Sequence, residues 1–260
     1  MNRRFALANQ KGGVGKTTTA ISLGAFLAAK GERVLLVDVD PQANATSGLG
    51  FDKWQLERSV YDVLSGSCSA AEAILPTSRR GLEILPASPH LAAAEVELAA
   101  ADNRERVLRD ILEPVAGGYG YVLMDCPPSL GLLTVNALSA ATDVIVPVQC
   151  EYLALEGLSL LLNTVDRVRD GLNPGLRVFG IVMTMFDPRT NLSEQVVQEV
   201  RQHYPEKIFR TVIPRNVRLS EAPSYGLSIL DYDSASRGAS SYDALADEAL
   251  ERSAALAAAV

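Results

Sequence analysis

Short apolar runs of strand length alternate with stretches of helical spacing along almost the whole chain. Phe5–Asn9, Arg33–Asp38, Tyr121–Asp125, Val144–Val148, Val178–Thr184 and Phe209–Ile213 are rich in Val, Ile and Leu, and most lack polar alternation. Runs of that kind predict strands covered on both faces, as in a parallel sheet. Between them, Lys16–Lys30, Arg104–Leu112, Leu130–Ala141, Leu155–Asp170 and Leu192–Tyr204 carry helical spacing, and Asn173-Pro174-Gly175 stops the fourth. Repeated strand–helix alternation predicts an α/β fold with a doubly wound, mostly parallel sheet. Without a linker, repeat or low-complexity tract, residues 1–260 read as one domain. Phe51–Ala101, the least regular stretch, reads as decoration of one edge.

Composition narrows the class. The 260 residues are 48% hydrophobic but only 6% aromatic, so the core is expected to be aliphatic. The three cysteines are odd in number and far apart, which fits neither a disulfide framework nor a metal knuckle and points to a reducing cytosol. His90 and His203 lack metal-ligand spacing, and no secretory segment precedes the first strand. A net charge of −7 argues against a general polyanion binder. Its distribution changes that picture: Arg177–Arg218 holds seven Lys/Arg against four Asp/Glu, and Leu219 to the end holds two against seven. Any polyanion contact is therefore expected in one patch.

The first predicted strand runs into Gln10-Lys11-Gly12-Gly13-Val14-Gly15-Lys16-Thr17-Thr18, with a helix following. Strand, glycine loop and helix N-terminus in that order bind phosphate, because backbone N–H groups close around the anion under the helix dipole. Lys16 is expected on the β and γ phosphates and the Thr17 hydroxyl on Mg²⁺. The loop departs from the ordinary pattern: Gln10 stands where a glycine is usual, and Lys11 follows. This second lysine marks the deviant Walker A group of P-loop NTPases. Lys11 sits too early to share the task of Lys16 within one subunit. Its expected use is to cross a dimer interface to the partner's nucleotide, as an arginine finger does.

Two strand ends carry acids. Asp38 and Asp40 stand two residues apart at the C-terminal end of a buried strand, the edge where ligands bind in open α/β sheets. Asp40, nearer the mouth, is the candidate to orient attacking water, and Asp38 to support the Mg²⁺ shell. Asp125 ends the strand Tyr121–Asp125 in a Walker B arrangement and is expected to hold Mg²⁺ through water. Pro127, Pro128 and Gly131 suit a segment that rearranges when the γ-phosphate is lost, and Cys126 reads as a small buried side chain.

With these residues in hand, the chain resembles the ParA/Soj family of chromosome- and plasmid-partitioning ATPases. The shared stretches are Asn9–Thr19, Val34–Gly50, Asp125–Ser129, Val146–Gly157, Thr184–Leu192 and Ile213–Gly226. The resemblance implies that Lys11 is the signature lysine and Asp40 the catalytic aspartate. It also implies that Pro214 and Asn216 contact adenine with Met185 nearby, and that Arg189 and Arg218 contribute to DNA binding. The implied cycle uses ATP and Mg²⁺: a sandwich homodimer forms on ATP and binds double-stranded DNA without sequence preference. A ParB/Spo0J-type centromere-binding partner then triggers hydrolysis and release. The implied location is cytoplasmic and nucleoid-associated. The phosphate loop begins within a dozen residues of Met1, so an N-terminal helix-turn-helix is not expected.

Three other readings are weaker. A membrane-cycling ATPase of the MinD type needs a basic, bulky amphipathic C-terminal helix. Ser241–Val260 instead has four acidic side chains against Arg252, and no Phe, Trp or Lys. It predicts an Ala-rich helix docked on the domain. A redox ATPase with an iron–sulfur cluster needs two cysteines per subunit at the dimer face, a poor match to Cys126 and Cys150. Against a nucleotide-gated scaffold that does not turn over stands Asp40.

Overall fold

The computed structural model describes residues 2–152 and 154–258. Its strands are β1 (Arg3–Leu7), β2 (Val34–Asp38), β3 (Leu75–Pro76), β4 (Leu82–Leu85), β5 (Tyr121–Asp125), β6 (Asp143–Gln149), β7 (Arg177–Phe186) and β8 (Ile208–Pro214). The helices of the first half are α1 (Lys16–Ala29), α2 (Asn44–Gly48), α3 (Val60–Leu64), α4 (Ala70–Ala73), α5 (Leu91–Leu98) and α6 (Val107–Ala116). Those of the second are α7 (Leu132–Ala140), α8 (Ala154–Gly171), α9 (Asn191–His203), α10 (Val217–Glu221), α11 (Ile229–Tyr232) and α12 (Arg237–Ala258).

The strands form one sheet in the order β3-β4-β2-β5-β1-β6-β7-β8. Every pairing is parallel except β3 with β4. Alternation along each strand feeds two cores: Phe5, Leu7, Val34, Leu36, Tyr121 and Leu123 join one, while Ala6, Leu35, Val37, Val122 and Met124 join the other. Both faces are covered, which is why the strands lack polar alternation. Because β1 lies between β5 and β6, the winding direction changes beside it, and the crevice opens at its C-terminal end.

The expected alternation is present, with two differences in the irregular stretch. It contributes β4, which pairs in register with β2, and the edge strand β3. β4 is only Leu-Glu-Ile-Leu, too short to separate from a loop by pattern. The helix expected from Arg104 begins at Val107 and continues through Pro114 to Ala116.

The acidic tail forms α12, which packs on β8 and α1. Residues 259 and 260 of that tail lie outside the described residues. Along the β7–β8 ladder, β7 advances from Ile181 to Met183 while β8 advances from Ile208 to Val212. This bulge takes the Arg210 and Thr211 N–H groups out of the ladder, and the Glu248 carboxylate of α12 accepts both, at 2.9 and 3.0 Å. Burial pushes the Glu248 carboxyl up, but these N–H groups, the Thr211 hydroxyl and Arg252 outweigh it and hold it below its usual value.

The unfolded chain therefore takes up this proton before the folded one does. The stabilisation is complete above the ordinary carboxylate pKa of 4.5 and is lost as pH falls through the depressed folded value. Glu248→Ala is expected to cost about 3 kcal/mol at neutral pH, from two unpaired N–H groups and the lost ion pair with Arg252. Urea unfolding at pH 7 and pH 3.5 checks this. The variant and the parent should differ less at the lower pH.

Candidate functional site

The loop between β1 and α1 is tied down at its start. Asn9 donates Nδ2 to the Pro147 carbonyl at 2.7 Å, and its Oδ1 accepts the Lys11 N–H at 3.0 Å. Gly13 and Gly15 take φ values of +76° and +90°, the region where a side chain is strained. Gly15 is the N-cap of α1, without a side-chain cap and without an acid in the first turn. The end of α1 is thus open to an anion.

Lys16 is buried, and its Nζ donates to the Lys11 carbonyl at 3.0 Å. Burial lowers its pKa, opposed by Asp125, Cys126 and Asp40. Register explains the acids: β2 and β5 pair with Asp38 opposite Asp125, so adjacent strands deliver two buried carboxylates to one spot. Burial and mutual repulsion raise Asp125 well above the usual carboxylate range, and burial raises Asp38 to about 6.

The two carboxylates are held differently. Asp38 accepts the Thr46 N–H at 2.9 Å, the Thr46 hydroxyl at 2.7 Å and the Asp40 N–H at 3.2 Å. It thereby fixes the turn that carries Asp40, whose Oδ1 accepts the Gln42 N–H at 2.9 Å. Among the described residues neither Asp125 oxygen has a hydrogen-bond partner at ordinary geometry, although the nearby Thr17 hydroxyl favours the ionised form. An orphaned buried carboxylate beside a threonine hydroxyl and a phosphate loop fits magnesium, which keeps its waters and takes few protein ligands. Among the described residues no three His, Cys, Asp or Glu side chains gather as a metal cage.

Two adjoining cavities complete the site. One of about 250 Å³ is lined by Gly12, Lys16, Thr17, Asp40 and Pro128. The other, of about 160 Å³, is lined by Ile213, Pro214, Asn216, Leu219 and Tyr242. Gly15, Thr18 and Met185 line both. Two cavities sharing one rim, a basin along the phosphate loop and a slot walled by Ile213, Leu219 and Asn216, match the two ends of a nucleotide. Met185 is held at φ +53°, which turns the end of β7 along that rim. Asn216 accepts the Arg218 N–H as the cap of α10 and keeps its amide N–H groups free to donate.

A model of the AAA-domain family matches residues 2–178. The sporulation initiation inhibitor protein Soj of Bacillus subtilis is 54% identical over 248 residues, 95% of this chain and 98% of its own. The chromosome partitioning protein ParA of Myxococcus xanthus is 53% identical over 252 residues, 97% of this chain and 89% of its own. The chain belongs to the ParA/Soj family of partitioning ATPases. A crystal structure of cobyrinic acid a,c-diamide synthase from Mycobacterium smegmatis, with a bound ATP analog and magnesium, is also similar. It superposes with a TM-score of 0.84 at 41% identity, over 95% of this chain and 93% of that one.

This ParA/Soj ATPase gathers Gly12, Gly13, Gly15, Lys16, Thr17, Thr18, Asp40 and Met185 around one basin, with Pro214 and Asn216 in the adjoining slot. Val14 is buried beneath the loop. Lys11 lies apart from the basin: its ammonium is half-exposed and paired with Glu151 of the same chain. Arg189 and Arg218 lie on the surface, Arg189 paired with Asp187 and Arg218 with Glu221 and Asp233. Sequence reasoning missed Asn9, Thr46 and Glu151, which orient the loop, Asp38 and Lys11. Only their positions inside the family-like stretches marked them. Among the described residues, no helix is long and apolar enough to cross a membrane.

Proposed function

We propose that this ATPase partitions DNA as an ATP-closed sandwich dimer. All 260 residues work as one unit in the cytoplasm, on the nucleoid. Two copies close around two ATP–Mg²⁺, grip double-stranded DNA without sequence preference, and release it after a ParB/Spo0J-type partner stimulates hydrolysis. What carries the reading is the short chain path between nucleotide and DNA candidates. Arg189 follows Met185 by four residues, and Arg218 follows Asn216 by two. A change in how the base slot is filled therefore has little backbone to cross before it reaches either arginine.

Within this reading the loop N–H groups and Lys16 cradle the phosphates, and Thr17 and Asp125 hold Mg²⁺, with Asp38 in support. Magnesium, when bound, neutralises charge on the phosphate oxygens. Asp40, fixed through Asp38, orients a water for in-line attack on the γ-phosphorus, and ADP departs as the bridging P–O bond breaks. Lys11 leaves Glu151 for the partner's nucleotide. That exposed pair is worth no more than about 1 kcal/mol, so phosphate outcompetes it easily.

Arg189 and Arg218 likewise exchange carboxylates for DNA phosphates. The doubly substituted Arg189→Ala, Arg218→Ala protein is expected to lose DNA binding and keep ATP-dependent dimerisation. Four arginines per dimer correspond to a salt slope, log K against log[salt], shallower by about 3–4. Normal duplex binding by this variant would put the patch elsewhere. The reading as a whole is tested by titrating DNA with ATP, ADP or neither at two salt concentrations. It requires an ATP-only, salt-sensitive signal.

The other readings fit less well. The apolar face of α12, with Tyr242, Leu245, Ala246 and Ala249, is buried against the domain and not free for a membrane. Cys126 and Cys150 are both buried inside the subunit, where neither is presented to a cluster shared across a dimer face.

A further inference from the structure

The strand end that borders the base slot also touches the phosphate loop. Thr184, buried near the end of β7, donates its hydroxyl to the Val14 carbonyl at 2.8 Å. Its own carbonyl accepts the Cys150 N–H at 3.0 Å, joining the run-out of β6 to the same point. The Val14 carbonyl and the Gly15 N–H belong to one peptide unit. Such a unit is planar and trans, so the two groups point in opposite directions, and fixing the carbonyl aims the N–H.

Aim matters at this position. Gly15, at φ +90°, is outside the regular ladder of α1, and its N–H finds no acceptor among the described residues. A Cβ placed on Gly15 would lie 3.8 Å from the Thr184 methyl, so strand and loop run side by side with room for a methyl and little more. The Thr184 hydroxyl is the polar link between them. We infer that Thr184 is a positioning residue of the ATPase: through the Val14 carbonyl it aims the Gly15 N–H at the nucleotide's phosphates. This rests on the ATPase reading of the loop and is independent of DNA binding or dimerisation.

The test compares Thr184→Val, which keeps shape and removes the hydroxyl, with Thr184→Ser, which keeps the hydroxyl and removes the methyl. ATP turnover and Mg–ADP calorimetry are read beside thermal melting. Thr184→Val should raise KM for ATP and Kd for ADP together, by about tenfold, with kcat changed much less. Thr184→Ser should restore both constants to within about threefold of the parent, whatever its effect on melting. A packing role reverses that order, because serine loses the contact and valine keeps it. Parent-like constants for Thr184→Val, or an equal loss in Thr184→Ser, would overturn the assignment. Should Thr184→Val not fold, Thr184→Ala takes its place with the same expected loss; alanine lacks the methyl as well, so Thr184→Ser then decides, parent-like constants supporting the assignment and a loss equal to that of Thr184→Ala overturning it.

Discussion

Lys16→Ala is expected to abolish ATP binding at millimolar nucleotide. The buried ammonium opposes the charge of Asp125, and both Asp125 and Asp40 favour its charged form. Without nucleotide it donates to the Lys11 carbonyl, a neutral acceptor that a phosphate readily displaces. Removing it deletes one charge-assisted bond, worth about 1.5–3 kcal/mol. It also leaves the Asp125 and Asp40 carboxylates facing an incoming polyanion without the ammonium that offsets their charge. Both effects act against binding, so a loss of well over a hundredfold is expected. Calorimetry with a non-hydrolysable ATP analog and Mg²⁺ measures it. Folding should survive, since alanine is a strong helix former and Lys16 opens α1. Measurable affinity within tenfold of the parent would remove Lys16 from the phosphate site.

Asp40→Ala is expected to separate binding from turnover. Asp40 borders the phosphate basin, and its carboxylate is anchored to the Gln42 N–H of its own turn. The loop, Lys16, Thr17 and Asp125 keep their places without it, so ATP affinity should change by less than about tenfold. Loss of a group that orients water or takes its proton typically costs 10²–10⁴ in rate, and turnover is expected to fall by about that much. The ATP-bound form should then persist as a dimer and remain on DNA. A single-turnover assay with labelled ATP checks the chemical step directly. Rapid hydrolysis by Asp40→Ala would overturn its role.

The phosphate loop and Asp125 were legible because their chemistry depends on neighbours in sequence: glycines for positive φ, lysine and threonine beside them, and an acid at a strand end. The β2 and β5 strands were legible from their unbroken apolar runs. The way Asp38 and Asp125 are each held was not. It is set by β2–β5 register and by Thr46, eight residues from Asp38, whose side chain reaches back to one carboxylate and not the other. Thr184 and Val14 are 170 residues apart, so no local pattern joins them. Glu248 looked like one more acid in a polar tail. Its importance depends on a bulge in β8 that only the neighbouring strand imposes. The edge strand β3 and its neighbour β4 were hidden by their shortness.

In the single subunit Lys11 is paired with Glu151, half-exposed and apart from the basin of its own chain, as the proposed service to a partner's nucleotide requires. Mutual donation of this lysine across two subunits is the central claim, and the mass of Asp40→Ala at saturating ATP and Mg²⁺ tests it most directly. Light scattering should give twice the subunit mass with ATP and the single-subunit mass with ADP. Adding Lys11→Ala should return the ATP form to a single subunit. A single-subunit mass for Asp40→Ala at saturating ATP, or a doubled mass that ignores the loss of Lys11, would contradict the account.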